Sequence, residues 1–318
     1  MTKHRRMMAA IALATLAAVA LTGCLVTQKP PEPPYYRESD NLRIYKQGDY
    51  IRYNVFATTV AGPGTGDFRS GVLEVEWGNY ANLISPDSNA SNDGAPYEVI
   101  EKRYLYCLDG AYCDPEPVVV QYIHQDDSGT ATEGTERLVA MGNQAASNQY
   151  YWLNTTGGSD FPPANPDNTV TGGQEPVITL KSPLYINDAY TVEYYLMDGC
   201  ISGVASCGSD VGRFTNSISV VGDGNQVNTN IGNYANPFQI IFEGETFPDA
   251  EIGDQLPLTL DVFDLCTHRH SRHKGHLYIV PEIGVIEMQI TCTDTISGEA
   301  TLYDITVDSI SSSILAGS

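Results

Sequence analysis

The chain has 318 residues, with 39 Asp and Glu against 17 Lys and Arg and a formal net charge of −22. Hydrophobic residues make up 42%, which excludes a disordered or collagen-like chain, and the acidic balance argues against nucleic acid, whose phosphates need clustered cations. Only one apolar run is long enough to consider for a membrane, which excludes a polytopic membrane protein and leaves an acidic, turn-rich globular body.

Met1 to Met8 carries Lys3, Arg5 and Arg6 and no acid, and Ala9 to Leu21 is a short apolar run ending in Leu21-Thr22-Gly23-Cys24. A basic region, a short apolar region and small residues before a cut read as a secretory signal peptide, residues 1–23. The Leu-Thr-Gly-Cys ending resembles the lipobox of bacterial lipoprotein precursors. In that family the Cys is diacylated on sulfur and becomes the first residue of the mature chain, so the resemblance implies lipidation at Cys24. Leu25 follows it. In enteric-type lipoproteins an Asp at that position favours retention in the inner membrane, so the resemblance implies the bacterial outer membrane, with the acyl chains as the attachment. Two or more chains hold stably where one is marginal. Residues 24–40 continue as a tether whose Pro30-Pro31-Glu32-Pro33-Pro34 stretch is extended and stiff. Cleavage removes three cations and no acid, so the mature chain is more acidic still and is repelled by polyanions.

Beyond the tether the sequence is mainly β. Alternating runs rich in Val, Ile, Thr and Tyr are predicted as strands at 49–60, 71–77, 97–108, 118–124, 190–197, 214–221, 238–243, 256–265, 277–280, 285–292 and 301–307. With few helices, antiparallel strands in this number make a large curved sheet, a half-barrel or two packed sheets. Residues 155–176 have almost no periodicity and separate a first β half, 41–154, from a second, 177–318, as a polar linker or long loop. Gly78-Asn79-Tyr80-Ala81-Asn82 recurs as Gly232-Asn233-Tyr234-Ala235-Asn236, which leaves duplication and coincidence both open. The segment Pro183–Tyr195, the run Tyr278-Ile279-Val280-Pro281-Glu282-Ile283-Gly284-Val285-Ile286-Glu287 and the closing run Glu299–Val307 together are similar to β-rich domains of uncharacterised bacterial envelope lipoproteins.

Six cysteines remain once Cys24 is acylated, an even number that suits disulfides in an exported chain. Cys107 and Cys113 flank a hairpin turn at Asp109-Gly110-Ala111, and Cys200 and Cys207 bracket a short Gly- and Ser-containing loop. Cys266 and Cys292 end strand patterns at the same edge of an antiparallel meander. Sequential pairing follows: 107–113, 200–207 and 266–292.

Four of the six histidines fall in one tract, His268, His270, His273 and His276, predicted as a solvated loop between two strands. Neutral imidazoles ligate Zn and other divalent transition metals, so these four are the candidate metal ligands. Arg269, Arg272 and Lys274 are interleaved with them and oppose a divalent ion. The same three cations form a positive island on a negative protein, suited to lipopolysaccharide phosphates or to an acidic patch on a neighbouring copy or on another envelope protein. Asp87 to Glu98 echoes a Ca²⁺ loop, but Asn92 stands where the loop needs Gly, and an ordinary polar turn fits better.

No nucleophile elbow, zinc-protease helix, P-loop or dinucleotide fingerprint is present in the sequence, and no catalytic residue is assigned. The leading expectation is a non-catalytic, lipid-anchored envelope protein acting as a binding or structural module. A carrier of an apolar ligand or lipoprotein is the alternative, and metal binding by the His tract is a further one. Peptide mapping of the oxidised protein is expected to recover the three sequential disulfides; a crossed pair between the three Cys pairs overturns that assignment.

Overall fold

The computed structural model describes residues 42–84, 96–108, 119–125, 136–142, 150–154, 177–180, 182–200, 210–222, 226–248, 266 and 271–315. The signal peptide, Cys24 and its tether, Cys113, Cys207, residues 87–95 of the Ca²⁺-like turn, residues 155–176, the predicted strand 256–265, and His268, Arg269 and His270 lie outside them. The strands are β1 (Tyr50–Ala61), β2 (Phe68–Leu83), β3 (Tyr97–Leu108), β4 (Val119–Gln125), β5 (Glu136–Gly142), β6 (Tyr150–Asn154), β7 (Val177–Leu180) and β8 (Ala189–Cys200). They continue as β9 (Asp210–Gly222), β10 (Val227–Thr229), β11 (Gly232–Tyr234), β12 (Phe238–Pro248), β13 (Ser271–Val280), β14 (Gly284–Asp294) and β15 (Ala300–Ile310), followed by one helical turn, α1 (Ser312–Leu315). The mainly β, antiparallel class is as expected.

The sheet closes on itself. Its order is β4-β3-β2-β1-β15-β14-β13-β12-β9-β8-β6-β5-β7, and β5 pairs back onto β4. Every strand of the ring runs antiparallel to its neighbours, and the last strand, β15, pairs with the first, β1. β6 of the first expected half pairs with β8 of the second, so the two β halves share one sheet. The two Gly-Asn-Tyr-Ala-Asn copies take different structures. One lies within β2 at its irregularity opposite β3, while the other spans β11 of the separate β10–β11 ribbon and the turn after it.

Period-two alternation explains which face is which. In β1, Ile51, Tyr53, Val55 and Ala57 are buried, while Arg52 is exposed and Asn54 and Thr58 are half-buried. Cross-strand register turns these residues into rows on the inner face. One row runs Val55–Ile305–Met288–Leu277–Ile240–Val220 across β1, β15, β14, β13, β12 and β9. The next runs Ala57–Tyr303–Ile290–Gly275–Phe242–Ile218. Apart from Gly275, members of both rows belong to the main apolar core. Glu74, Glu76, Glu243, Lys274, Gln289, Asp304 and Asp308 stand on the outer face, exposed or half-buried. A charged side chain on this face would cost up to a few kcal/mol against lipid, depending on depth.

Residues 42–49 cross one end of the ring as a strap. Arg43 N donates to Pro281 O at 2.9 Å and Leu42 N to Ser182 Oγ at 3.0 Å. Tyr45 stacks on Trp77 with ring centroids 3.7 Å apart, its N donates to Gln125 Oε1 at 2.8 Å, and its hydroxyl donates to Ile283 O at 2.9 Å. Gly284 admits that hydroxyl: its φ is +107°, and a Cβ would stand 2.1 Å from Tyr45 Oη. Asp49, buried at the head of β1, accepts from Lys46 N at 2.9 Å and from the hydroxyls of Ser311 and Ser313, tying the strap to α1. Arg43 Nη2 donates to Ser313 O at 2.9 Å. Tyr45→Ala removes the stack and the buried hydroxyl bond together. It is expected to lower unfolding free energy by about 3–5 kcal/mol, read by denaturant melts, with the earliest loss of amide protection at residues 280–284.

Candidate functional site

The His tract is not a loop tip where the structure describes it. Residues 271–280 form β13, paired to β12 on one side and β14 on the other. Alternation sends Ser271, His273, Leu277 and Ile279 to the buried inner face, and Arg272 and Lys274 to the exposed outer face. His276 shares that outer parity, half-buried, three residues from His273. The two imidazoles therefore lie on opposite faces of one strand and do not meet on one ion. No group of three or more metal-ligating side chains occurs among the described residues.

The expected positive island is also changed. Arg272 stands opposite Glu245 in the β12–β13 register and forms an ion pair with it, while Lys274 stands opposite Glu243. The carboxylates of β12 thus lie beside two of the three cations that were to contact an anion. His276 lies at 5.6 Å from Tyr278, edge to face. Burial raises the carboxyl of the neighbouring Glu287 above its usual range, with His276 acting to lower it and Asp304 to raise it.

Of the cysteines, Cys266 and Cys292 form a disulfide with their Cα atoms 5.3 Å apart, both fully buried. Cys107, at the end of β3, is disulfide-bonded, and Cys200 is the last residue of β8. The 266–292 bridge lies beside His273, because Cys292 is the β14 partner of His273.

The inner face carries two polar patches among its apolar rows. Near the strap, Lys102 is 7% exposed, with Nζ 5.7 Å from the Trp77 ring centroid and 5.9 Å from that of Tyr104. A cation so placed draws on the negative faces of both rings. Its β4 partner in register is Gln121, whose Oε1 accepts from the Tyr104 hydroxyl at 3.0 Å.

At the other end the rows turn polar. After Ala57–Tyr303–Ile290–Gly275–Phe242–Ile218 comes Thr59–Thr301–Cys292–His273–Gly244–Asn216, read across the same six strands. Thr246 and Ser271 lie two residues beyond Gly244 and His273 on the same faces, 2% and 1% exposed. Gly244 leaves the space the imidazole fills: a Cβ there would stand 2.5 Å from His273 Nε2 and 2.3 Å from Thr215 O. Asn216, Thr246, Ser271 and Gly244 were missed by reading the sequence. Their signal is polar or absent side chains at inward positions of otherwise apolar alternation, as in Ile240-Phe242-Gly244-Thr246.

Desolvation drives His273 from its ordinary 6.5 down to about 4, against the opposing pull of Glu245. The imidazole is therefore neutral at neutral pH. With the folded value depressed, the unfolded chain takes up a proton that the folded chain refuses as pH falls from about 6.5 to about 4, and stability declines across that window. The loss reaches about 3 kcal/mol at most. Denaturant midpoints measured from pH 7 to pH 4 are expected to fall less for His273→Gln than for the natural chain; equal slopes overturn the assignment to His273.

No family model and no curated protein matches the chain. Among solved structures, the chain is similar to a Bacteroides fragilis protein, inferred to be exported and having a YmcC-like fold. The two share 10% identity at a TM-score of 0.37, covering 86% of this chain and 99% of that one.

Proposed function

We propose that the protein is a lipid-anchored component of the bacterial outer membrane, non-catalytic, whose closed β body serves as a binding or structural module in the cell envelope. The observation that carries this reading is the sidedness of the sheet. Its outer face bears Glu74, Glu76, Glu243, Lys274, Asp304 and Asp308, so the body stays in water and attachment falls to the acyl chains at Cys24. The lipobox, Leu25 after the Cys and the Pro-rich tether support the same account. Its partner is another envelope component, either a protein or lipopolysaccharide.

A second reading, a carrier of an apolar ligand, is favoured by the curved sheet with an apolar inner face. Co-purification of a lipid-sized mass in native mass spectrometry would support the carrier.

The anchoring claim is tested in a bacterial host with labelled palmitate. The natural chain is expected to take up label and to sediment with outer membranes until detergent is added. Cys24→Ala is expected to take up none and to appear in the soluble periplasmic fraction. Sedimentation of Cys24→Ala with membranes, equal to that of the natural chain, overturns the proposal.

A further inference from the structure

The polar end of the inner face contains more unanswered hydrogen-bonding capacity than folding alone requires. Asn216 Oδ1, Thr246 Oγ1, Ser271 Oγ and both ring nitrogens of His273 are buried with no hydrogen-bond partner among the described residues. Three of these residues, Thr246, Ser271 and His273, are each at most 2% exposed. Buried polar atoms are nearly always paired, and an unpaired one costs more than it returns. Apolar isosteres would remove that cost at Thr246 and Ser271 without altering the strands. Five such atoms gathered on three adjacent strands, β9, β12 and β13, mark a place where stability is given up for something else.

The chemistry of the patch defines what fits. Asn216 Oδ1 is an acceptor, each hydroxyl both donates and accepts, and a neutral imidazole offers one donor and one acceptor. The described charged side chains next to it in register do not serve the patch. Glu245 and Arg272 pair with each other on the outer face. Asp294, opposite Ser271 in register, directs its carboxylate to Ile296 N, Ser297 N and the Ser297 hydroxyl in the following turn. Among the described residues an ion placed here would find no free countercharge beside it, whereas an uncharged group would meet both donors and acceptors. The flanking row is apolar, with the Phe242 ring 6.2 Å from the imidazole. A few polar groups at the edge of an apolar surface is the usual make-up of a small-molecule site.

We infer that Asn216, Thr246, Ser271 and His273 form an internal binding site for an uncharged group that both donates and accepts hydrogen bonds, a primary amide or an alcohol hydroxyl carried on an apolar ligand. This rests on the reading of the protein as a binding module and names the ligand chemistry of that module.

The test uses the mature, acylated chain with nitrogen-15-labelled histidine, and acetamide and acetate as probes of the same size and different charge. Acetamide is expected to shift the His273 ring resonances saturably at pH 7, and acetate to leave them in place. Thr246→Val and Ser271→Ala, each taken separately, are expected to weaken the acetamide response about tenfold, the loss of one hydrogen bond. Either variant alone suffices, should the other fold poorly. Unmoved His273 resonances with acetamide, equal shifts with acetate, or an unweakened response in either variant that folds would overturn the inference and leave the patch to buried water. Acylation is read on the same preparation by intact mass. An acylated chain that ignores acetamide sinks this inference alone, and a responsive chain without acyl groups sinks the anchoring proposal alone.

Discussion

The pairing of β1 with β15 governs most of what else the molecule does. An antiparallel sheet left open presents unpaired backbone at both edges, and such edges pair with other chains. Here the register from Ile51↔Ile310 to Ala61↔Ala300 joins the two ends of the fold, and β4–β5 completes the ring. Closure makes one face concave and common to all strands. The inner face is buried and largely apolar and the outer face carries most of the charge, so a two-residue alternation runs through much of each long strand whose side chains are described. The departures from apolar character on the inner face, Lys102 at one end and the His273 row at the other, stand out because the rule is otherwise kept.

The strap shows how the N-terminal end of the body is fixed to the ring. Tyr45 alone touches three separate parts of the sheet: Trp77 of β2, Gln125 of β4 and the β13–β14 turn at Ile283. Arg43 and Asp49 add the C-terminal turn. A pull transmitted through the chain before Leu42 therefore meets a segment bonded at several points, and the load is shared among strands distant in sequence rather than falling on β1 alone.

Most of the long strands were legible in the sequence, as was the seven-residue β4, while β5, β6, β7 and the first half of β13 were not. β1, β3, β9, β14 and β15 each run for eleven residues or more, long enough for their alternating stretches to outweigh local propensity. β5, β6 and β7 span seven, five and four residues beside Gly- and Asn-rich stretches, too few periods to stand above their surroundings. The His tract was misread for a different reason. Arg, Lys and His suggested a solvated loop, while the inward series Ser271-His273-Gly275-Leu277-Ile279 already carried the strand period. The 266–292 disulfide is as expected, while the strand expected at 256–265 lies outside the described residues. The polar row itself is a property of register across six strands, and no single stretch of sequence displays it.

Closure by the first and last strands also sets the order in which the fold can be completed. β2 to β4 and β12 to β14 each find their neighbours locally, but β1 waits for a partner about 250 residues away. A polypeptide synthesised N-terminus first holds β1 with one edge vacant until β15 has been made. Until β15 arrives, that edge is open to any strand that passes, so shielding of β1 during synthesis becomes a requirement of the topology.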